Sequence, residues 1–504
     1  MPKTIKIDPI TRIEGHLAIS LEIEDNKVID AKSSGEMFRG FEVILKGRDP
    51  LDAQQITQRI CGVCPVSHGI ASILAQDMAY GIEIPQNGRI VRNLILGAEY
   101  IHSHIIHFYH LCALDFIDIA AITNYKGKDQ MLLDLKEWAS SELKSKKIYP
   151  ISPFLPRYET KYLENQDINI SAIKNYLDAF DARAMAHKMS AIFSGKVPHA
   201  ATLIPGGVTE SVTAEKIAAY KSLLIKLKQF IEHAYINDVL FVAEAFPDYF
   251  SLGKGCGNFL AYGVFPESSG RESNFFPEGV IVKGKLMGFN ENRITEDVKY
   301  SRYSSPSELS PIKGETVPDP KKYGAYSWLK SPRYDEMPME VGPLARIMVS
   351  YLKGDTPEIN KLVDGILSKL GKKTDDLASA MGRHAARAIE CKIVADKCLE
   401  WVEQLIPDQP VFRDFNIPKQ GVGVGLTEAM RGALGHWIEI DNYKIKNYQC
   451  IVPTTWNCSP KDDKGTAGPI EQALIGTLVA DSKNPIEAVR IVRSFDPCIA
   501  CAVH

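Results

Sequence analysis

The sequence contains no apolar run long enough to span a bilayer. The best candidate, around 101–122, is interrupted by histidines and aspartates. The N-terminus, Met1-Pro2-Lys3-Thr4, lacks the apolar core of a signal peptide, so export is expected to depend on a partner. There is no basic stripe; net charge is −3 with both signs mixed along the chain, which argues against nucleic acid as a partner. Ten cysteines in 504 residues are too few for a disulfide scaffold. No internal repeat or low-complexity segment is present. Gly421-Val422-Gly423-Val424-Gly425 is followed by no Lys-Ser/Thr and has the wrong order for a dinucleotide fingerprint, so a closely packed backbone is expected there.

What the chain does contain is two C-x-x-C pairs at opposite ends. Arg59-Ile60-Cys61-Gly62-Val63-Cys64-Pro65 is the first and Asp496-Pro497-Cys498-Ile499-Ala500-Cys501 the second, three residues before His504. Cysteines at i and i+3 share one side of a helical turn, so each pair can face one metal. Four thiolates suit zinc, iron, an iron–sulfur cluster or nickel. Structural zinc pairs usually sit close in sequence and fasten a small module. Here they clamp the ends of a large chain, and spacing alone leaves structural and redox metal equally open. A thioredoxin-like dithiol is weaker, because no short βαβ unit surrounds either pair. Cys112, Cys256, Cys391, Cys398, Cys450 and Cys458 lack such spacing and read as buried thiols, with Cys391 and Cys398 seven apart on a core stripe.

The remaining pattern is mostly helical. Residues 4–33 alternate as a half-buried sheet, interrupted by Thr11-Arg12-Ile13-Glu14-Gly15-His16, which on its own reads as a solvated hairpin turn. A helical stretch from about Asp49 is expected to carry Cys61 and Cys64 at its end, with His68 one turn on as either a donor to the metal site, the favoured reading, or a satisfied core histidine. Helices are expected from Asn87, over 168–194 and 210–246, from Asp355-Thr356-Pro357 to Gly371, over 375–405, and over about 468–480 and 485–493. His102, His104, His107 and His110 are spread around the helix from Asn87 and read mainly as packing or surface residues. Residues 251–345, rich in Gly, Ser, Pro and Tyr, read as small strands and long loops. The regions form one integrated unit over 1–504: sheet 1–45, helical core 49–250 and 355–405, excursion 251–345, and a C-terminal metal-binding region 421–504.

With RICGVC and DPCIAC located, the chain resembles the large, catalytic subunit of nickel–iron hydrogenases from end to end. RIEGH, MFRGFE, PGGV, SPRY with EVGPLAR, and EAMRGALGHW support the resemblance. It implies a long-helix bundle with small sheets at its edge, an α+β fold that is mainly α. It implies that Cys61, Cys64, Cys498 and Cys501 bind nickel, with Cys64 and Cys501 bridging to an iron that carries carbon monoxide and cyanide. Cys498 would act as the base for heterolytic cleavage of H2, and Glu14 would relay protons from it. Arg431 would lie over the iron ligands and the Thr454 hydroxyl would donate to a cyanide. Glu42, the Cys450 carbonyl and His504 would hold magnesium or iron. Asp496 would belong to the canopy above the site and His199 would face the electron-transfer partner.

The implied partner is a smaller iron–sulfur subunit that carries the clusters and the export signal, giving a periplasmic or outer-side location. A cytochrome or other redox acceptor would lie beyond it. Ser103, where many relatives carry Asp, is reminiscent of the nickel–iron–selenium branch; Met430 replaces a proline. In that branch the position of Cys498 is selenocysteine. The histidine at 504 corresponds to the family's processing point. The competing readings are a non-catalytic quinone-module subunit, which generally lacks the four cysteines, and a zinc scaffold.

Overall fold

The computed structural model describes residues 2–145 and 160–504. The stretch 146–159 of the expected helical core lies outside the described residues. The fold is mainly helical with small antiparallel sheets, as the resemblance implied. The long helices Gln86–Ile106, Gln166–Ser194, Ala214–Phe230 and Ala380–Gln404 pack against one another. Alanines on the last of these permit close approach. At the crossing, a Cβ added to Gly97 would sit 2.4 Å from Cys398 Sγ. The helix Pro357–Leu370 forms as its pattern predicts: Pro at its first turn, Ile359, Val363, Ile366 and Leu367 buried, and Gly371 left-handed at its end.

The alternation at the N-terminus produces the sheet Lys3–Ile7, Leu17–Glu24 and Lys27–Gly35. A second sheet, Gln420–Ala429, Gly432–Asp441 and Lys444–Ile451, was not foreseen. Its first strand lies along the helix Pro65–Tyr80. A Cβ on Gly423 or Gly425 would come 1.9 Å from the carbonyl oxygen of Ala75 or Ala71, so only glycine admits this contact. The expectation of a closely packed backbone at 421–425 is thereby met, in a strand.

Three expectations need correction. Cys61 and Cys64 do not end a helix from Asp49: that helix is Asp52–Gln58, and the thiols occupy the turn before Pro65–Tyr80. Pro65 starts a new helix because it lacks the N–H that a continuing helix needs. The helix expected over 468–480 is only Pro469–Leu474, since Gly476 turns left-handed (φ 87°) and its N–H bonds Val28 O at 2.8 Å. The stretch 210–246 is two α-helices joined by a π-helical turn at Ile231–Tyr235. Residues 251–345 do form short strands, and part of their buried side, including Leu260, Tyr262 and Tyr334, shares a hydrophobic cluster with Leu426, Trp437 and Trp456 of the C-terminal region.

Candidate metal centre

Cys64 is the residue before the first turn of the helix Pro65–Tyr80, so the direction of that helix sets where its sulfur points. The exposed N–H groups of the first turn are taken by a carboxylate from the neighbouring long helix. Glu99 accepts from Val66 N–H at 2.9 Å, Ser67 N–H at 3.0 Å and Ser67 Oγ–H at 2.7 Å. A buried carboxyl group at a helix N-terminus satisfies otherwise orphaned donors.

The second pair has little helix of its own. Cys498 precedes Ile499–Ala502, a single turn. It is held from outside instead. Cys498 N–H donates to Thr454 Oγ1 at 3.0 Å, and Ile499 N–H donates to the Glu14 carbonyl at 2.7 Å. The loop 11–16 therefore packs on the C-terminal motif rather than forming a free solvated turn. Gly15 makes this possible: its φ is +82°, and a Cβ there would lie 2.7 Å from Ala500 N.

The four sulfurs converge in a buried cluster, their Sγ atoms all within 4.8 Å of one another. Cys61–Cys498 is 3.4 Å, Cys64–Cys501 3.1 Å and Cys498–Cys501 2.8 Å. Each residue is at most 3% exposed. Hydrogen bonds from Cys498, Cys501 and Cys64 pull the Cys61 thiol well below its ordinary value, whereas burial pushes Cys498 up. Arg431 is 3% exposed and pairs with Asp496 through Nη2–Oδ1 at 2.9 Å and Nε–H to the Asp496 carbonyl at 2.9 Å. Burial works against its charge, but Asp496 and then the sulfurs of Cys498, Cys64 and Cys61 hold its pKa well above the usual value. Its Nη1 is buried without a protein partner. Glu14 is half-buried; burial and then Cys61 raise its pKa, against the pull of Arg431 and Arg39. A soft four-sulfur donor set beside a donor-rich, partly unsatisfied wall fits a thiophilic metal with further ligands.

A family model described as nickel-dependent hydrogenase matches residues 39–504, and a HoxL-like model matches residues 4–34. The chain belongs to the nickel-dependent hydrogenase family. It is 42% identical to the periplasmic [NiFeSe] hydrogenase large subunit of Desulfomicrobium baculatum, over 99% of this chain and 94% of that one. It is 37% identical to the hydrogenase-2 large chain of Escherichia coli K12, covering 100% and 97%. The structure of the Ni-Fe-Se hydrogenase from D. vulgaris Hildenborough in the reduced state superimposes with a TM-score of 0.90, at 39% identity, covering 100% of both chains.

In this hydrogenase chain a second cluster lies behind the thiols. Glu42 Oε1 accepts from Cys450 N–H at 2.8 Å and lies 3.3 Å from His504 Nε2. His504 Nδ1 bonds the Cys501 carbonyl at 2.7 Å, so the ring is oriented with Nε2 toward Glu42. The Thr316 hydroxyl also donates to Glu42. Burial would raise the Glu42 carboxyl, but Lys330 and His504 outweigh it and hold it well below the usual range. The Cys450 Sγ also falls within 4.8 Å of the Glu42 and His504 ligand atoms.

Other expected residues divide. Asp496 and Arg431 come together as described. His199 remains partly exposed on its loop. His68 Nδ1 meets His436 Nε2 at 3.2 Å, and His436 Nδ1 meets the Tyr448 hydroxyl at 2.8 Å. Burial pushes His68 down to about 3, so it is neutral. His102, His104, His107 and His110 are all buried, none at the surface.

Sequence reasoning missed Glu99 and Arg346. Arg346 is fully buried, paired with Glu390 and Glu428, and its Nη groups donate to the carbonyls of Ala429 at 2.9 Å and Met430 at 2.8 Å. It thereby carries the segment that presents Arg431. The charged end of EVGPLAR was the available signal.

Proposed function

We propose that this chain is the catalytic large subunit of a nickel–iron hydrogenase that reversibly oxidises H2 to protons and electrons. The observation that carries the proposal is the buried convergence of Cys61, Cys64, Cys498 and Cys501 beneath Arg431. In this reading the four sulfurs would hold nickel, and Cys64 and Cys501 would also hold an iron carrying carbon monoxide and cyanide. When bound, the metal pair supplies the centre at which the H–H bond is split heterolytically.

The chain's own groups do the rest. Cys498 takes the proton at Sγ. Glu14 accepts it next, because a half-buried carboxyl with a raised pKa is suited to both accept and release a proton. Thr454 Oγ1 already accepts from Cys498 N–H, which leaves its hydroxyl hydrogen for an iron ligand. Arg431 Nη1 offers a second donor. Glu42, the Cys450 carbonyl and His504 would hold magnesium or iron, with His504 tied to the thiol cluster through the Cys501 carbonyl.

Electrons leave to a small subunit bearing iron–sulfur clusters, near His199, and from there to a cytochrome or comparable acceptor. Among the described residues no helix is long and apolar enough to cross a membrane. A periplasmic location, as named for the D. baculatum relative, is reached through the partner's export signal.

Metal analysis with infrared spectroscopy of the purified heterodimer tests the assignment: about one nickel per chain and bands of metal-bound carbon monoxide and cyanide are expected. Stoichiometric zinc without nickel would overturn it. Glu14→Gln tests the relay. It is expected to keep both metals and lose most hydrogen–deuterium exchange per nickel; a wild-type exchange rate removes Glu14 from the path.

A further inference from the structure

Beyond this reading, a third cluster of ligand groups lies on the long helices and takes no part in it. The helix Gln86–Ile106 continues into a π-helical turn, His107–Cys112. In an α-helix residues five apart point in different directions; the wider π turn brings them onto one side. Cys112 Sγ accordingly lies 3.2 Å from His107 Nε2. The helix Ala380–Gln404 presents His384 to the same place, its ring 5.4 Å from that of His107 and nearly parallel to it. The ligand atoms of the three residues fall within 4.8 Å of one another. All three residues are at least 97% buried.

Two observations separate this cluster from ordinary packing. His107 Nδ1 and His384 Nδ1 are buried without a hydrogen-bond partner, although buried polar groups are nearly always paired. Both rings are also kept neutral by burial. His107 Nε2–H donates to the Arg493 carbonyl at 2.8 Å, so the lone pair His107 offers a metal is on its unpartnered Nδ1. We propose that His107, Cys112 and His384 form a binding site for one thiophilic d10 cation, Cu+ or Zn2+.

Neighbouring charge decides between the two ions. Asp115 pairs with Arg493 at 2.6 Å and with Arg12 as well, so it does not cancel both, and Arg387, one turn from His384, donates to the carbonyls of Arg383 and Ser494 and adds its charge close by. Binding displaces the Cys112 thiol proton to solvent and leaves a thiolate. With Cu+ the ion and thiolate sum to zero, whereas Zn2+ leaves one positive charge beside Arg387. Copper is the better fit. One sulfur and two imidazoles are a donor set that Cu+ accepts with three ligands.

The test uses the purified heterodimer from cultures supplemented with copper or with zinc, analysed as metal per nickel. Wild type is expected to hold about one copper per nickel, falling at least about tenfold in Cys112→Ala and in His384→Ala with nickel unchanged. Zinc retained with the same dependence supports the site with the other ion. The site is overturned if neither metal exceeds the level in Cys112→Ala, or if the extra metal is lost in Glu42→Gln instead and so belongs near His504. Should both variants fail to take up nickel, X-ray absorption on the wild-type copper or zinc decides. One sulfur with two nitrogens supports the site; a shell without sulfur, or with several, overturns it.

Discussion

The two cysteine pairs perform one task but are supported in opposite ways. Cys61 and Cys64 sit at the entry of a sixteen-residue helix whose first turn is held by Glu99 and whose flank is pressed by the strand Gln420–Ala429. Cys498 and Cys501 sit on one turn that has almost no structure of its own and depends on Glu14, Gly15, Thr454 and Arg39 from remote parts of the chain. The first pair is oriented by the helix that follows it, which Glu99 and a remote strand brace, whereas the second has no helix of its own to orient it and is placed by distant segments alone. The same spacing of thiols therefore says nothing about how each pair is held.

Glycines beside the two pairs offer the sharpest break. Gly15→Ala forces a side chain into a left-handed position against the Ala500 backbone. It is expected to destabilise the protein by about 4 kcal/mol through strain and overpacking combined, and to abolish nickel retention. Gly62→Ala meets nothing within 4 Å and is expected to stay within about 0.5 kcal/mol of wild type. Thermal unfolding and nickel content of the two variants test the contrast; equal effects would remove it.

The brace on the first pair should show itself through pH. Burial raises the Glu99 carboxyl to about 8, against the hydrogen bonds from Ser67 and Val66. A carboxyl raised in the folded state gives stability that is whole below its unfolded value, near 4.5, and is lost as pH rises through about 8. Wild type is thus expected to lose on the order of 2 kcal/mol relative to Glu99→Gln between pH 5 and pH 7.5. Chemical denaturation of both proteins across that range checks the slope, and parallel curves would contradict it. A smaller loss than at Glu99 is expected at Thr454→Val, which deprives Cys498 N–H of its acceptor for about 1 kcal/mol. Its mark should be a shift of the infrared bands of the metal ligands with little change in midpoint; unchanged bands would detach the hydroxyl from the site.

Much of this arrangement was legible in the residues. The helix Pro357–Leu370 announced itself by period, proline and terminal glycine, and the N-terminal sheet by strict alternation. The helix Pro65–Tyr80 did not, because Ser67, His68, Ser72, Gln76 and Asp77 are all buried and blur its apolar face. Pro65 was the overlooked sign. Glycines at 421, 423 and 425 were read as close packing, yet their spacing of two also places them on one face of a strand. At the metal centre the four thiols were plain from spacing, whereas Glu99 and Arg346 act across the fold through backbone groups, and no local pattern marks such partners. The loop at Glu14 read as solvated because its contact, the turn at Cys498, lies at the other end of the sequence.

That separation has a consequence for the folding of the chain. Cys61 and Cys498, like Cys64 and Cys501, are 437 positions apart. A metal held by both pairs is in effect a cross-link closing a loop of nearly the whole polypeptide. Such a closure removes disorder from the unfolded ensemble, on the order of 5 kcal/mol for a loop this long, without adding any native contact between side chains. The growth is only logarithmic in loop length, so bringing the cysteines somewhat nearer in sequence would forfeit little of it. Their remoteness matters in another way. An incompletely folded chain has no complete set of four sulfurs, and the finished set marks a chain whose two ends have already found each other.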